Sequence, residues 1–435
     1  SINNYCYPEN PEAGIDLFLE KLVQETEKEH EDIDETDAMF GELYSWYLRN
    51  PEYRSRVQKL VQSAFAGKPE DIISQSVAKA LYGEVSPYSA TRLERFAACA
   101  FAHFLQYGMK LTERVEYEFK PMDMGNVMHE ALESFAEEVR KRGMKWTELT
   151  EQERNEIADR CLDNIVADYG NTVLKSSARN EYMIERTRRI LRRTVWALQK
   201  QLEQGEFQPE GFEVTFGGGR IDRVDIMEDQ NKVYVKVIDY KTGNTSFDLV
   251  YLYHGLQLQL MIYLDGALRV EQKKYPDKEI IPAGVFYYNI KDPMIQEKID
   301  ADVEAVSAGL MKELKMNGLV QADPELVYRM DSSLGSIPVA FNKDGSFRKN
   351  SSVADRTQFA VLGRYVRTKI EKIRNSILEG DAEVSPYELG KKNACTYCPY
   401  MTVCGFDRRL SGYEFRRLKN FSDEELWKAF DREAE

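Results

Sequence analysis

The sequence predicts a mixed α/β protein in which a mixed central sheet is flanked by helices. Three segments alternate or run apolar with β-branched residues, as β-strands do: FEVTF, GRIDRVDIM and KVYVKVIDY. Segments with helical patterns lie on both sides of them, and a further apolar segment, AGVFYYNI, predicts another strand. Helices around a short group of strands indicate an α/β sandwich, here with large helical insertions.

The composition is that of an ordinary globular protein with a large core. The chain has 435 residues, 43% hydrophobic and 30% charged, and its length suggests roughly two or three domains. No apolar run reaches the about eighteen residues of a membrane helix, and no signal-peptide pattern begins the sequence. The cysteines therefore favour metal ligation in a reducing cytoplasm over disulfides. We expect a cytoplasmic protein without a membrane partner.

The net charge of −14 argues against attraction of nucleic acid to the whole surface. The basic residues are unevenly placed, however, and one short helical stretch contains Arg186, Arg188, Arg189, Arg192 and Arg193. We call these residues the arginine stripe. Such a stripe is enough for a groove that follows a phosphate backbone, although it is more often a solvated helix face.

Three parts of the chain are expected to differ in organisation. Residues 1–85 have a helical and acidic pattern and no motif that indicates a function. Residues 86–415 contain all the candidate functional residues and are expected to form one large domain. Residues 416–435 are expected to form a C-terminal helix, because Ser422 and Glu425 have the spacing of a capping box.

The predicted helices before the strands carry two of the candidate residues. Thr91 and Glu94 fit a capping box that opens a helix carrying Cys99. A second helix is predicted from about Gly125 through NVMHEALESFAEEVRK. The charged residues 150–205 predict further helix.

After the strands, the pattern predicts helix again. LVYLYHGLQLQLMIYLDGAL is predicted to form one helix, and Thr357–Leu378 a long one. Residues 320–355 are rich in turn-forming residues and predict loops.

Two acidic residues and a lysine lie on neighbouring predicted strands. Asp222 is in GRIDRVD, and Asp239 and Lys241 share one face of the strand KVIDYKTG. Carboxylates near a lysine suit a divalent cation, which lowers the pKa of a water ligand and offsets charge on a phosphate. A D-x-K pair at a strand end is more often a surface salt bridge, but the apolar run before Asp239 indicates the end of a buried strand.

Three further side chains are candidates for the same site. His129 lies on a predicted helix, where a lone histidine is more often a cap or core residue; as a ligand it would complete a metal site with the two aspartates. Gln259 and Tyr263 are four residues apart and share a helix face. They would hold the phosphate or base of a nucleotide, or equally cap the neighbouring sheet.

Four cysteines predict a metal centre of a second kind. Cys395, Cys398 and Cys404 have the spacing C-x2-C-x5-C, and Cys99 stands alone far upstream. Thiolates at such spacing bind an iron–sulfur cluster or zinc. For zinc, His103 is a candidate ligand because it follows Cys99 by four residues. With Cys99 as the fourth ligand, the metal joins distant parts of the domain.

In this order, the motifs resemble those of the RecB-like branch of the PD-(D/E)xK nucleases. The matching segments are GxxxHE with His129, GRIDRVD with Asp222, IDYK with Asp239 and Lys241, and QxxxY with Gln259 and Tyr263. The cysteine spacing and YSATRLERFAACAF are similar to the C-terminal nuclease domain of B subunits of AddAB-type bacterial helicase–nucleases. The resemblance covers roughly residues 85 to 415.

The resemblance implies a restriction-endonuclease-like core and Mg²⁺-dependent exonuclease action on single-stranded DNA, with 5′→3′ polarity. Mn²⁺ and Ca²⁺ are alternative ions. The implied metal ligands are His129, Asp222, Asp239 and the backbone carbonyl of Tyr240. Lys241 would stand beside the attacking water. Gln259 and Tyr263 would support the site and the DNA strand.

The resemblance also implies a [4Fe–4S] cluster that acts as a structural staple and not as a redox centre, held by Cys99, Cys395, Cys398 and Cys404. In the whole assembly it implies a motor-bearing A subunit and double-strand-break processing. Ile221 stands where the family motif has its proline, and the sequence contains no G-x4-G-K-[ST] phosphate loop. We therefore expect no motor activity from this chain, and residues 1–85 would be the remnant of a helicase-like region.

Two alternatives stay open. One is a stand-alone CRISPR-associated RecB-like exonuclease with four cysteines, which the length and the insert between Tyr263 and Cys395 disfavour. The other is a catalytically silent DNA-binding scaffold that uses the cluster to clamp strands. The intact acidic and lysine residues argue against a silent site.

Overall fold

The computed structural model describes residues 35–64, 72–83, 88–112, 121–168, 178–217, 219–295, 302–409 and 412–434. The chain divides into two compact units. The smaller comprises Ser1–Glu70 and Asp407–Glu414, and the larger comprises Asp71–Phe406 and Phe415–Glu435.

In the smaller unit, two helices follow each other closely: α1 (Glu35–Arg49) and α2 (Pro51–Ala64). Pro51 takes the first helical position of α2, where no N–H donor is needed. Tyr47 and Val57 are buried together. Residues 35–64 are thus helical, as the pattern of residues 1–85 predicts, whereas residues 1–34 lie outside the described residues.

The larger unit contains many helices, and none of the helices in the described ranges is long and apolar enough to cross a membrane. They are α3 (Gln75–Tyr82), α4 (Ala90–Ala98), α5 (Ala100–His103, continued by a π-helical turn at Phe104–Gly108), α6 (Pro121–Lys141), α7 (Glu151–Asp168), α8 (Ala178–Glu203), α9 (Leu249–Tyr253), α10 (Gln259–Lys274), α11 (Val303–Glu313), α12 (Pro324–Met330), α13 (Arg356–Glu379), α14 (Met401–Cys404) and α15 (Asp423–Ala434).

Six strands form one mixed sheet in the order β1-β2-β3-β4-β5-β6. They are β1 (Gln208–Phe216), β2 (Gly219–Asp229), β3 (Lys232–Lys241), β4 (Glu279–Asn289), β5 (Asn317–Gln321) and β6 (Val353–Ala354). The strands β1, β2 and β3 pair antiparallel, β3 and β4 pair parallel, and β4 and β5 pair antiparallel. A small second sheet has the order β8-β7-β9 and consists of β7 (Tyr387–Leu389), β8 (Lys392–Asn393) and β9 (Arg416–Arg417).

Helices cover both faces of the six-stranded sheet. On one face, α6, α7 and α8 bury Ile238 and Phe286. On the other face, α4, α10, α13 and α15 bury Val237 and Val285. Neighbouring residues of one strand point to opposite faces, so a strand with apolar residues on both sides must be covered twice. The predicted α/β fold with a mixed sheet between helices is confirmed.

Most elements predicted after the strands are present, with one break. The predicted helix Thr357–Leu378 is α13, and Glu425 accepts the N–H of Ser422 before α15. The single helix predicted over residues 249–268 is wrong. The chain turns at Gly255, which has a φ of 79° that ends a helix, and α9 and α10 are separate.

The helix that leads to Cys99 begins two residues before the predicted capping box. Ser89 is its N-cap, and Ser89 Oγ accepts the N–H of Arg92 at 3.3 Å. Glu94 points elsewhere and accepts backbone N–H groups at the start of α10. The capping box of Thr91 and Glu94 is therefore wrong, because Ser89 already satisfies α4.

Candidate active site

The ends of β2 and β3 bring two acidic residues and a lysine together. Arg223 pairs with Ile238 across these antiparallel strands. Asp222 comes one residue before Arg223 and Asp239 one residue after Ile238, so both aspartates lie on the same side of that pair, on neighbouring strands. Asp239 is 1% exposed, and its Oδ2 lies 2.6 Å from Nζ of Lys241. The three residues that the sequence singles out on these strands thus share one place.

His129 reaches the same place from α6. Its Nδ1 lies 3.3 Å from Oδ2 of Asp222, an oxygen that also accepts the backbone N–H of Tyr240 at 2.7 Å. Gly125 lets α6 approach the end of β3, since a Cβ there would lie 3.3 Å from Thr242 Oγ1. Burial opposes protonation of His129, but the hydrogen bond and charge of Asp222 raise its pKa overall.

Glu213 on β1 is a further acidic residue of this site, and the sequence analysis did not single it out. One oxygen of Glu213, one oxygen of Asp222 and one nitrogen of His129 lie within 4.8 Å of one another. Glu213 has a φ of 50°, which costs free energy in a residue other than glycine and persists only where the surroundings hold it. It forms an ion pair with Arg220. The only sign in the sequence is a charged residue within the strand FEVTF.

The acidic groups repel one another. Burial, and then the charge of Asp222, raise the pKa of Glu213 to about 7. The same two causes raise the pKa of Asp239 to about 7, although Lys241 and His129 oppose them. A divalent cation would remove this repulsion, and carboxylates with an imidazole are suitable ligands for it.

Three side chains have ligand atoms close enough to share a cation, namely His129, Glu213 and Asp222. Asp239 is near enough to Asp222 for that charge to raise its pKa, and its role as a fourth ligand stays a prediction. The backbone carbonyl of Tyr240, which the resemblance implies as a ligand, stays a prediction.

The helix α10 supports Lys241 from the side. Gln259 Oε1 accepts a hydrogen bond from Nζ of Lys241 at 2.8 Å, and Gln259 Nε2 donates to Tyr263 Oη at 2.9 Å. The ring of Tyr263 meets that of Phe216 edge-on, with 5.9 Å between centroids. Gly266 makes this packing possible, because a Cβ there would lie 2.6 Å from the ring of Phe216. Gln259 and Tyr263 thus form a hydrogen-bonded row that ends at the lysine.

Glu94 is the second residue that the sequence analysis did not place in the site. Its Oε1 accepts the backbone N–H of Leu258 at 2.7 Å and that of Gln259 at 2.9 Å. Burial raises the pKa of Glu94 to about 7. No short-range sequence signal reveals this contact, because Glu94 is 164 residues away from Leu258.

The four cysteines lie around one small cavity, which we call the cysteine cavity. Cys99 occupies the break between α4 and α5, and Cys404 is the last residue of α14. Cys395 and Cys398 lie in the turn after β8, where the N–H of Cys398 donates to the carbonyl of Cys395 at 3.1 Å. The N–H of Phe406 donates to Sγ of Cys404 at 3.3 Å. The structure therefore brings together all four cysteines that the sequence analysis grouped.

Whether the four cysteines would hold an iron–sulfur cluster or zinc stays a prediction.

His103 does not line the cysteine cavity. Its Nε2 accepts a hydrogen bond from Nε of Arg92 at 3.1 Å, and it is buried between the rings of Tyr82 and Tyr107. Burial, with the charge of Arg92, lowers the pKa of His103 to about 3. These contacts give His103 a structural position in the core and do not support it as a zinc ligand.

A cavity of about 440 Å³ lies beside α10, between α4, α13 and the end of β1. Two aromatic and four basic residues line it, namely Tyr88, Phe216, Arg269, Lys273, Arg367 and Arg374. Asp265 also lines it and pairs with Arg269 at 2.7 Å and Arg367 at 2.9 Å. We call it the basic cavity. Since Phe216 contacts Tyr263, it adjoins the active site.

The arginine stripe of α8 is largely neutralised by acidic residues. Arg188 pairs with Asp163 at 2.7 Å, and Arg189 pairs with Asp292 at 2.6 Å. Arg192 forms an ion pair with Asp159 of α7. Ion pairs therefore offset the charge of three of the five arginines, although Arg193 and Trp196 line a cavity of about 700 Å³ beside them.

Comparison with known proteins identifies the family of the chain and several relatives. A profile described as the PD-(D/E)XK nuclease superfamily matches residues 87–405 of the chain. The B subunit of the ATP-dependent helicase/deoxyribonuclease of Lachnoclostridium phytofermentans is 41% identical over 425 residues, which cover 92% of this chain and 36% of that protein.

Proteins of the same name from two other bacteria are also similar. The one from Thermoanaerobacter sp. (strain X514) is 34% identical over 94% of this chain and 37% of its own length. The one from Clostridium acetobutylicum is 32% identical over 98% of this chain and 39% of its own length. The chain thus spans a little over a third of the length of these curated relatives.

Proposed function

The chain belongs to the PD-(D/E)XK nuclease superfamily, and we propose that it is a Mg²⁺-dependent exonuclease that cleaves single-stranded DNA. The observation that carries the proposal is the gathering of His129, Glu213 and Asp222 next to the ion pair of Asp239 and Lys241. The relatives are named as B subunits of an ATP-dependent helicase/deoxyribonuclease, and this name supports DNA as the substrate.

Two aspartates, one glutamate and one histidine would hold the cation. When bound, Mg²⁺ supplies a Lewis acid that lowers the pKa of a water ligand and offsets charge on the phosphate. Asp239 and Glu213 have a pKa of about 7, so both must give up protons before their oxygens bind the ion. Mn²⁺ has similar ligand preferences and would serve in the same place.

Lys241 has one N–H group left for the reaction. Its ammonium group lies 2.6 Å from Asp239 and 2.8 Å from the side-chain oxygen of Gln259, and a lysine carries three N–H donors. The third donor would serve the attacking water or a phosphate oxygen. Because Gln259 already fixes the ammonium group, little reorganisation is needed as charge builds up on the phosphate.

The basic cavity supports a single strand as the substrate. Aromatic rings are stacking partners for unpaired bases, and Phe216 lines this cavity beside Tyr88, whose ring already packs against Arg92. Lys273 would contact a phosphate. In duplex DNA the bases are paired and stacked on one another, so they are not available to stack on an aromatic side chain. On the resemblance, we assign 5′→3′ polarity and, in the whole protein, a motor-bearing A subunit that delivers the strand during double-strand-break processing.

We further propose that the four cysteines hold a [4Fe–4S] cluster that acts as a staple. The four cysteines line one cavity, and the N–H of Phe406 donates to Sγ of Cys404, as N–H groups do around cluster sulfurs. Cys99 comes from the α4–α5 break, and the other three cysteines come from residues 395–404. A cluster would therefore cross-link two distant parts of the larger unit.

The proposal is tested with end-labelled single-stranded oligonucleotides in Mg²⁺ or EDTA. The wild type should degrade them only with Mg²⁺, and Asp239→Ala should be slower by about a thousandfold, the loss of roughly 4 kcal/mol of transition-state stabilisation. Early release of a 5′ label, before a 3′ label, supports the polarity.

Glu228→Ala is the matched control, because Glu228 is an exposed acidic residue at the other end of β2. It should degrade DNA at the wild-type rate. Equal rates for Asp239→Ala and wild type would rule out the assigned site. A wild type that binds the strand tightly but never cuts it would instead support the scaffold alternative.

A further inference from the structure

We propose that Glu94 is a positioning residue of the nuclease reaction, which fixes the start of α10 so that Gln259 holds Lys241 in place. The inference rests on the proposed function, because it concerns the same lysine. Glu94 lies on α4, and its hydrogen bonds in the described part of the chain go to the backbone of Leu258 and Gln259.

The start of α10 has no cap of its own. Leu258 occupies the N-cap position and has no polar side chain to accept the first N–H groups of the helix. Glu94 Oε1 replaces that missing cap and accepts the N–H groups of both Leu258 and Gln259. Because the acceptor comes from another helix, it also fixes how α4 and α10 are placed relative to each other.

The capped residue is the one that holds the lysine. The backbone N–H of Gln259 donates to Glu94, its side-chain oxygen accepts from Lys241, and its side-chain nitrogen donates to Tyr263. A small shift of the first turn of α10 therefore displaces the group that orients the ammonium. Catalytic rates are sensitive to such displacements even when substrate binding is not.

The test compares Glu94→Ala, Glu94→Gln and Asp323→Ala in the full chain. Single-turnover rates, KM and thermal unfolding are measured on a labelled single strand with Mg²⁺. Glu94→Ala should lower kcat at least about tenfold and leave KM within about twofold, because the ammonium is misplaced while the strand still binds. Glu94→Gln keeps an oxygen acceptor and should recover kcat to within about threefold of the wild type.

Asp323→Ala is the matched control for a purely structural role. One oxygen of Asp323 also accepts two backbone N–H groups, those of Glu325 and Leu326, at the start of α12. This variant should lose stability comparable to Glu94→Ala and keep the wild-type kcat. An equal kcat for Glu94→Ala and Asp323→Ala would overturn the inference.

A double-mutant cycle locates the effect. If Glu94 acts through Gln259, Glu94→Ala should add no further loss of kcat in a Gln259→Ala background. Additive losses would overturn the inference. Should Glu94→Ala fail to fold, Glu94→Asp, whose shorter side chain cannot reach both N–H groups, replaces it in the cycle. A wild type without Mg²⁺-dependent cleavage would count against the proposed function, whereas an active wild type matched by Glu94→Ala would count against this inference alone.

Discussion

The active site gathers carboxylates and the cysteine cavity gathers thiols, but different groups oppose the negative charge of the two sites. At the active site, the ammonium of Lys241, the ring of His129 and the N–H of Tyr240 contact the acidic oxygens. At the cysteine cavity, the sulfur ligands face one another and backbone groups such as the N–H of Phe406. The first site is therefore partly balanced by the protein, and the second depends on what it binds.

The pKa values express the same difference. Burial, and then the acidic or thiol neighbours, raise the pKa of Asp239 to about 7 and that of Cys395 to about 12. At neutral pH the aspartate is close to losing its proton, whereas the thiol keeps its proton until a metal replaces it. Loss of the bound metal should thus leave the active site folded and loosen the cysteine cavity.

Replacing a cysteine ligand should give the largest effect. Cys398→Ser is expected to abolish the broad visible absorption of an iron–sulfur cluster and to lower the free energy of unfolding by about 3 kcal/mol or more, because a cross-link between distant segments is lost. Visible spectra and thermal unfolding measure both. Cys161→Ser is the control, since Cys161 is buried on α7, outside the cavity.

These measurements test both the identity of the metal in the cysteine cavity and its role as a staple. A colourless wild type that contains zinc would contradict the cluster assignment. Identical unfolding of Cys398→Ser and the wild type would contradict the idea of a staple. EDTA, which removes Mg²⁺, should destabilise the protein much less than Cys398→Ser does. Equal destabilisation would contradict the expected difference between the two regions.

The two regions are also joined by one helix. The helix α4 carries Glu94, which caps α10, and ends at Cys99, which lines the cysteine cavity. A metal at Cys99 thus fixes the same helix that positions Gln259. If Glu94 positions the lysine, loss of the proposed cluster would lower kcat as well as stability, without any direct part of the cysteines in the chemistry.

Neutralising Glu213 should change stability and metal binding in opposite directions. Its folded-state pKa is raised, so at pH 8 the ionised side chain destabilises the metal-free protein. Glu213→Gln is expected to stabilise the metal-free protein by about 1 kcal/mol and to weaken Mg²⁺ binding about tenfold. Thermal unfolding in EDTA and calorimetric titration with Mg²⁺ measure the two effects.

The control for Glu213 is Glu228→Gln on the neighbouring strand. Lys278 and Tyr275 lower the pKa of Glu228 through hydrogen bonds, so its ionised form is favoured in the folded protein. Its neutralisation should give no gain in stability and no change in Mg²⁺ affinity. A stabilised Glu228→Gln would show that the effect comes from overall charge and not from the active site.

The effect of pH on stability should follow the titration of Asp239. Its pKa is about 7 in the folded state and about 4 in the unfolded state. Between these two pH values, the metal-free folded protein therefore keeps a proton on Asp239 that the unfolded chain has lost. This contribution to stability is present below about pH 4 and is lost as the pH rises through 7. Bound Mg²⁺ favours the ionised carboxylate, so the stabilisation by Mg²⁺ should grow between about pH 6 and 8.

Unfolding temperatures with and without Mg²⁺, measured across this range, check the expectation. Asp239→Asn removes one of the two acidic groups with a pKa of about 7 and should show a flatter dependence, whereas Glu213 still titrates in this range. A wild type whose response to Mg²⁺ is the same at both ends of the range would contradict the raised pKa.

The sequence predicts the strands and their acidic residues because both depend on local pattern. The apolar run before Asp239 predicts a buried strand, and the D-x-K spacing places Lys241 on the same face. Glu213 escaped prediction because a left-handed residue inside a strand leaves no pattern. Glu94 escaped because its partners are set by the packing of α4 on α10, and the local spacing suggested a capping box instead.

The smallest effect is expected where charges are already paired, as in the arginine stripe. Arg192→Ala removes an ion pair with Asp159 on a helix surface and should change affinity for single-stranded DNA by less than about twofold. Lys273→Ala in the basic cavity should weaken binding several-fold and lower the slope of log affinity against log salt by about 1, because a phosphate contact is lost. Fluorescence anisotropy measures both, with Asp239→Ala as the background so that the strand is not degraded. If Arg192→Ala instead changes the salt slope and Lys273→Ala does not, the strand follows α8 and the basic cavity has no part in binding it.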